Sequence, residues 1–559
     1  MPPSPIDTLK RAATLYEARK LEEASALCET LITLPRVLPD AYHLGGLIAF
    51  ERGDHERGIE LLQKAVDAGI RSAAVYSNLA ICLAATGRIS KAHEYVTAAL
   101  SIPPANALAN AAAADVFLSM GALGEAITHL RTALLIDPSP PVHSNLLYAL
   151  NFVPGYKQAE LCAEARKFDK LYGHPAQNLA RIQLDKDPER KLRIGYLSAD
   201  MYSHSVAHFL EPLFKAHDRN AIFVHAFPSV KRPDAVTRRL QGLADAWTPV
   251  AGLSDKEAAV AIQNAGIDIL VELGGHTGDA RLLVLTYRPA PLQISYLGYP
   301  NTTGLSACGY RFTDALVDPE DEPGNDYAET LIRLPGGFLC YEPPEGFPEV
   351  APLPALTSGG ITFGSFNTLA KMTPKVVELW ARIVRKCEGS RLFLKAGPLA
   401  DAGVVEKVKK QFADQGLDPS RLLLEGRTPG QQGHLARYAD IDIALDPFPY
   451  SGTTTTCEAL LMGVPVVALS GDRHASRVSA SLLKRIGLDS LVATTPKQYQ
   501  QIALDLALPA KRAKLAEKRA GLRELLLNSP LCDKTRYARE VEAAYRSLWR
   551  SFCRSTSQQ

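Results

Sequence analysis

Gly53, Gly87 and Gly121 stand at equal steps (87 − 53 = 121 − 87 = 34), and this spacing constrains the first quarter of the chain more than any other feature. Small residues keep the same phase at Gly58, Ala92 and Ala126, and again at Ala65, Ala99 and Ala133. Tyr42 and Tyr76 fill a large-residue slot, while Pro104 and Pro138 close two of the units. Ala24 precedes Gly58 by one further step, which adds a repeat at the extreme N-terminus. Gly155 follows Gly121 by the same step, but the alanine pattern fails there, so the last unit reads as degenerate or capping. A unit of this length cannot bury its apolar face alone. Neighbours must stack, and small residues mark where antiparallel helices approach closely. An ordinary helical bundle has no reason to hold three positions in phase over three units.

The period is the tetratricopeptide signature, and about four or five helical hairpins are expected over residues 1–175. Such an array has a concave face suited to extended peptides, so its implied role is binding a polypeptide without chemistry. After the charged stretch Asp185 to Lys191 the pattern changes. Apolar runs at Leu192 to Ser198, Ile222 to Phe227, Ile267 to Leu273 and Gln293 to Leu297 read as strands, with helix-like sequence such as Asp255 to Ala265 between some of them. A Pro-rich segment, Tyr341 to Gly360, reads as a linker. Alternation then resumes through ITFGSF, a helix from Pro374 to Cys387, SRLFLKA, RLLLEG, IDIALDPF and VPVVALSG. Alternating strands and helices predict parallel sheets covered on both faces. The expected division is residues 1–175 for the repeats, 176–345 for a first α/β lobe, and 346–559 for a second, nucleotide-binding lobe with C-terminal helices. Ligands in such sheets sit beyond the carboxyl ends of the strands.

Composition narrows the class of partner. Among 559 residues, 62 Lys and Arg against 60 Asp and Glu leave a net charge of +2, so no global electrostatic footprint for nucleic acid exists. The nine cysteines are scattered without a CxxC pair, which predicts reduced, mostly buried thiols in a cytoplasmic protein and neither a zinc site nor a redox dithiol. The N-terminal segment has no apolar core of a signal peptide. The most apolar run, Ile102 to Gly124, is broken by two prolines and three polar residues and is rejected as a membrane span.

The strongest constellation runs from Asp442 to Leu469. A strand ends at Leu445, a Pro-containing loop follows, and Gly452, Thr453, Thr454, Thr455 and Thr456 open a helix. Unpaired amides at a helix start, with the helix dipole and threonine hydroxyls, make a site for an anion such as a diphosphate. Glu458, one turn on, is placed to accept hydrogen bonds from ribose hydroxyls. The plainer reading is a threonine cap with an acidic first turn, which stabilises any helix. The patterns GxxxxGK[ST] and GxGxxG are missing. Asp440-Ile441-Asp442 resembles a metal-binding DxD, but it sits at the start of a strand, and no metal site is assigned to it.

The chain resembles the O-linked N-acetylglucosamine transferase and SPINDLY family. The likeness covers nearly the whole chain and is carried by LRIGYLSADMYSHSVAHFLEPL, ILVELGGHTGDARL, YRPAPLQISYLGYPNTTGL, ITFGSFNTLAKMTPKVVELWARIV and FPYSGTTTTCEALLMGVPVV, in the family's order. It implies an α/β fold with all-α N-terminal repeats: a tetratricopeptide superhelix followed by a two-lobed glycosyltransferase-B region of twin Rossmann-like sheets. It also implies roles residue by residue. Lys371 matches the lysine on the donor diphosphate, where a cation neutralises charge on the leaving nucleotide without a metal. Thr368, in the same motif, joins the donor-binding set. Thr454 and Thr455 match residues that cradle phosphates, beside Gly452 and Thr453. Glu458 matches a ribose-binding acid, and His434 and Arg437 match positions near the nucleobase. Leu297 and Gly298 match a loop that meets the sugar. Thr453 stands where the human-type enzyme has histidine, and Gln431 replaces a lysine.

The base is the open point. His204 follows the first strand and is the leading candidate, since a histidine takes a hydroxyl proton at neutral pH. His208 and His276 are held as alternative bases or supporting residues. The resemblance implies inverting transfer of N-acetylglucosamine from UDP-N-acetylglucosamine to Ser or Thr hydroxyls of polypeptides held by the repeats. No cofactor, metal, nucleic acid or membrane is expected. GDP-fucose is the alternative donor, because GHT, GYPNTTGL, FGSFNTLAK and FPYSGTTTTCE look closer to the SPINDLY branch. A non-catalytic peptide-binding scaffold and a transferase acting on glycans or small molecules are the other readings.

Overall fold

The computed structural model describes residues 4–175, 179, 185–320 and 326–557. The expected boundary between residues 175 and 176 therefore abuts positions outside the described residues.

The first 172 positions carry ten helices among the described residues: α1 Pro5–Glu17, α2 Leu21–Ile32, α3 Pro39–Glu51, α4 His55–Asp67, α5 Ala73–Ala85, α6 Ile89–Leu100, α7 Ala107–Ser119, α8 Leu123–Ile136, α9 Pro140–Leu150 and α10 Gln158–Tyr172. They pair as five hairpins, the number at the upper end of the expectation. Gly53, Gly87, Gly121 and Gly155 each take positive φ, from 69° to 92°, at the turn inside a hairpin, where a residue without Cβ avoids a steric cost. Arg19 takes the same turn in the first hairpin at φ 60°. Ala24, Ala92 and Ala126 are fully buried, as are Ala65, Ala99 and Ala133. A second small-residue row, Ala12, Ala80 and Ala114, is equally buried, with Gly46 in the same phase, where an added Cβ would meet Leu62 at 2.7 Å. That row was in the sequence, but alanine is too common in these helices for it to stand out. The run Ile102 to Gly124 divides between a loop, α7 and the turn into α8. Among the described residues no helix is long and apolar enough to cross a membrane.

Two all-parallel sheets follow. The first has β1 Leu192–Ser198, β2 Ile222–Pro228, β3 Ala246–Trp247, β4 Ile269–Glu272, β5 Leu292–Ser295, β6 Tyr310–Thr313 and β7 Thr330–Arg333, in the order β3-β2-β1-β4-β5-β6-β7. The second has β8 Thr362–Ser365, β9 Arg391–Lys395, β10 Leu422–Glu425, β11 Ile443–Leu445, β12 Val466–Leu469 and β13 Val492–Ala493, in the order β10-β9-β8-β11-β12-β13. Both orders reverse direction once, between β1 and β4 and between β8 and β11, and each reversal opens a crevice beyond the carboxyl ends. The short β3, β6, β7 and β13 carry too few apolar residues to announce themselves in sequence.

The regions share cores. Leu79, Val96 and Val116 of the array pack in one apolar cluster with Phe363 and Val467 of the second sheet and Trp380 of the helix Pro374–Lys386. The final helix, Lys534–Ser557, leaves the second sheet and packs on the first: Tyr545 meets Tyr196 at 3.1 Å, and Glu542 meets His217 at 2.9 Å. The Pro-rich segment is seated, with Tyr341 fully buried and its amide donating to Leu531 at 2.8 Å. A polar junction ties the array to both lobes. The buried Arg473 donates to the carbonyls of Asn151, Val153 and Tyr156 at 3.1, 2.8 and 2.9 Å, and Asn301 donates to Asn151 Oδ1 at 2.8 Å.

Candidate functional site

A cleft of about 580 Å³ lies between the carboxyl ends of the two sheets. From the second sheet it is lined by Asn367, Thr368, Lys371, Tyr450, Thr453, Thr454 and Thr455. From the first it is lined by His204, Leu297 and Gly298, with Asp200 and Asp279 beside them.

Lys371 owes its place to the turn after β8. Leu369–Lys371 form one 3₁₀ turn, and Thr373 then caps the helix Pro374–Lys386 by accepting from the Val376 amide. The turn sends the half-buried lysine toward the end of β11, where its ammonium donates to Asn367 Oδ1 at 3.1 Å and to the Ser451 carbonyl at 2.8 Å. It also stands 4.5 Å from the Tyr450 ring centre. Burial pulls its pKa down to about 8, against the pull of Asp446. Asp446 is buried at the end of β11, and burial pushes its carboxyl up to about 6 while Lys371 draws it down. At neutral pH both groups carry their charge.

The helix start is the helix Thr454–Leu461, with Thr453 at its N-cap making no side-chain cap hydrogen bond. One expectation needs correcting. The Gly452 amide is not unpaired: it donates to Asp446 Oδ1 at 2.8 Å, and a Cβ there would meet that oxygen at 2.7 Å. Gly452 is therefore the residue that lets the loop close over Asp446, and the face turned to the cleft is that of Thr453, Thr454 and Thr455. Thr455 Oγ1 donates to Asn367 Oδ1 at 3.3 Å.

Glu458, His434 and Arg437 lie behind the wall formed by Phe366 and do not line the cleft. His434 Nε2 is 3.1 Å from Glu458 Oε2, its Nδ1 is 2.8 Å from Lys395 Nζ, and its ring sits 5.8 Å from that of Phe366. Arg437 is engaged by Glu425 at 2.7 Å and Asp440 at 2.5 Å. Both oxygens of Asp442 accept backbone amides, from Ala355 at 2.9 Å and Thr362 at 2.8 Å, so the DxD-like carboxylate is structural.

On the facing side, His204 Nδ1 accepts the Val206 amide at 3.3 Å and stands 3.6 Å from Asp200 Oδ1. Burial raises the Asp200 carboxyl, with the His204 charge opposing. His204 is 39% exposed on its side chain, enough to meet a bound molecule. The other two histidines are placed elsewhere. His208 contacts Gln431 at 2.8 Å in a neighbouring charged recess with Glu211, Arg239 and Glu342, which His204 also borders, and burial lowers its pKa. His276 is fully buried, with Nδ1 2.9 Å from Ser144 Oγ of α9 and Nε2 2.8 Å from the Thr303 carbonyl. Burial lowers its pKa to about 4, and with both ring nitrogens engaged it joins the array to the first lobe rather than reaching the cleft.

Leu297 adopts φ 78°, unusual for a residue with a branched side chain and an example of strain at a cleft-lining loop. Gly298 follows because a Cβ there would stand 2.3 Å from the Leu273 carbonyl. Several lining residues escaped sequence reasoning, among them Asp200, Asp279 and Asn367 and three ring-bearing side chains. Tyr148 comes from α9, Tyr450 from the loop before the threonines, and His474 from the start of the helix His474–Arg485. His474 is buried and pairs with Asp318 at 2.8 Å across the lobes, so its burial in a core-like position hid it. Tyr450 was visible inside the FPYSG stretch, whereas nothing in the repeat pattern marks Tyr148.

The glycosyl transferase family 41 profile matches residues 136–351 and 353–541. Among curated proteins, SPINDLY of Solanum lycopersicum, named a probable UDP-N-acetylglucosamine–peptide N-acetylglucosaminyltransferase, is 41% identical over 75% of this chain and 45% of its own. The SEC protein of Arabidopsis thaliana, named for the same activity, is 29% identical over 65% of this chain and 38% of its own. The chain thus spans about half the length of the curated relatives it matches. Among solved structures, a mutant Thermobaculum terrenum O-GlcNAc transferase superposes with a TM-score of 0.86 at 34% identity, covering 93% of this chain and 98% of its own. The profile, the relatives and the shared architecture agree: this chain belongs to glycosyl transferase family 41.

Proposed function

We propose that the chain is a protein O-glycosyltransferase that moves N-acetylglucosamine from UDP-N-acetylglucosamine to Ser and Thr hydroxyls of polypeptides. The observation that carries this reading is the cleft, which sets Lys371 and the Thr453–Thr455 helix start on one wall and His204 on the other. Lys371 and the amides of Thr454 and Thr455 hold the donor diphosphate and stabilise the charge that grows on it as the glycosidic bond breaks. His204 takes the proton of the attacking hydroxyl at Nε2 in the tautomer that carries its ring proton on Nδ1, turned to Asp200 instead of accepting the Val206 amide, and Asp200 stabilises the imidazolium that results. Attack from the His204 wall, opposite the leaving diphosphate, inverts the anomeric centre. With Lys371 supplying positive charge at the leaving group, the reaction needs no metal. Glu458, His434 and Arg437 serve the nucleoside end, which requires Phe366 or the donor to shift so that they meet it. Leu297 and Gly298 face the sugar.

The polypeptide acceptor lies on the concave face of the array, whose α9 reaches the cleft through Tyr148. The units 1–175, 176–345 and 346–559 go with this reading, with residues 534–557 packed back on the first lobe. We place the protein in the cytoplasm, where buried thiols such as Cys82 and Cys457 stay reduced. GDP-fucose is the second donor reading, favoured by Thr453 in place of histidine and by the motifs that look closer to the SPINDLY branch. Incubation of a peptide mixture with each donor, followed by mass spectrometry, decides between them. A peptide carrying N-acetylhexosamine is the expected product. A deoxyhexose tag moves the donor to GDP-fucose, and product found only among glycans overturns the protein acceptor.

A further inference from the structure

Three neutral groups hold the Lys371 ammonium: the Asn367 side-chain oxygen, the Ser451 carbonyl and the face of Tyr450. A lysine stem is long and flexible, and two oxygen acceptors alone leave it a choice of rotamers. A ring 4.5 Å away narrows that choice, because the negative face of an aromatic ring attracts a cation most strongly where water is scarce.

The ring is itself held by the helical array. Tyr450 stacks on Phe152 with centres 4.7 Å apart and planes 19° from parallel, and Tyr148 meets it edge-on at 6.3 Å. Phe152 is 1% exposed, and Tyr148 packs against it at 5.1 Å. The carbonyls on either side of Phe152, those of Asn151 and Val153, both accept from Arg473 of the second lobe. The end of α9 is thereby fixed to the lobe that carries the lysine, and Phe152 has one place to stand.

We propose that Tyr450 is a positioning residue for Lys371, and that the last hairpin of the array, through Phe152 and Tyr148, fixes where Tyr450 stands. The array then does more than present an acceptor: it completes the wall on which the donor diphosphate is held. The consequence for transfer rests on the reading of Lys371 as the diphosphate contact, whereas the positioning itself does not.

The test is the titration of Lys371 in the full chain, followed by pH-dependent amine labelling and peptide mass spectrometry, with the exposed Lys410 as internal reference. The charged or titratable groups around Lys371 are Asp446 from the end of β11, Tyr450, Tyr148 of α9, and the cleft residues His204 and His474. Leu in place of Tyr450 keeps the site apolar but removes the ring face, so in Tyr450→Leu the lysine should titrate lower than in the wild type by about one pH unit. Tyr450→Phe keeps the face and should titrate as the wild type does. Phe152→Leu should shift Lys371 in the same direction by less. Turnover should fall about tenfold in Tyr450→Leu and stay within about twofold in Tyr450→Phe. An unchanged Lys371 titration in Tyr450→Leu overturns the proposal. A shifted titration together with equal calorimetric UDP affinity in wild type and Lys371→Met leaves the positioning standing and overturns the donor reading instead.

Discussion

The two sheets share the order of six strands yet present different side chains at their carboxyl edges. The edge of the first lobe presents Asp200, His204 and Asp279, while that of the second presents Lys371 and the start of a helix. The same fold supplies the crevice twice, and the residues placed after β1, β4, β8 and β11 decide what each half does. A negative, histidine-bearing wall suits a proton acceptor, whereas a cationic wall suits a diphosphate. The division of labour follows from side chains at loop positions, since the sheets themselves are interchangeable in topology.

That contrast can be broken most severely at Lys371. Lys371→Ala should lower peptide transfer by at least about 100-fold with the thermal melt unchanged, because one preorganised cation at a leaving group is worth that much. Transfer within tenfold of wild type would remove the lysine from its role. His204→Ala should cost about 100-fold in turnover, the usual contribution of a general base, and leave UDP affinity within about twofold. A matching loss of UDP affinity would show that His204 belongs to the donor wall after all.

The pH profile sharpens the contrast further. In the proposed role Lys371 acts as a cation, and burial lowers its pKa to about 8, so charge is lost as pH rises through that value. kcat/KM should accordingly fall about tenfold per pH unit above about 8, and a flat profile to pH 10 would contradict the assignment. The smallest effect concerns stability, at the joint between array and first lobe. The pKa of His276 is about 4 in the fold and 6.5 when free, so its neutral form is the one the fold holds. The stability it adds is complete above pH 6.5 and is lost as pH falls from there toward 4. His276→Asn should flatten that part of a melting-temperature profile, and an unchanged acid limb would place the titrating group elsewhere.

Much of this architecture was legible because periodic features survive in a single sequence. The 34-residue step gave the hairpins, and the apolar runs at Leu192–Ser198 and Ile443–Leu445 ended where the strands end. The threonine run opens a helix, which begins at Thr454. What stayed hidden depended on contacts between distant segments. Nothing local told that the Gly452 amide is taken by Asp446, since their meeting depends on how the intervening loop folds back. His276 follows a strand end just as a catalytic histidine would, and only the packing of α9 over it turned it into a joint. Arg437 carried a motif match, and Glu425 at the end of β10 and Asp440 from its own 3₁₀ turn converge on it. Tyr148 lies in a repeat whose pattern concerns stacking and says nothing of a cleft.

The account stands on a diphosphate held between the lobes by Lys371, and calorimetric titration of UDP and GDP into the wild type and Lys371→Ala addresses it directly. UDP should bind the wild type at least tenfold more tightly than GDP, and Lys371→Ala should lose at least tenfold in UDP affinity. Absence of binding by either nucleotide, or equal UDP affinity in the two proteins, would contradict it.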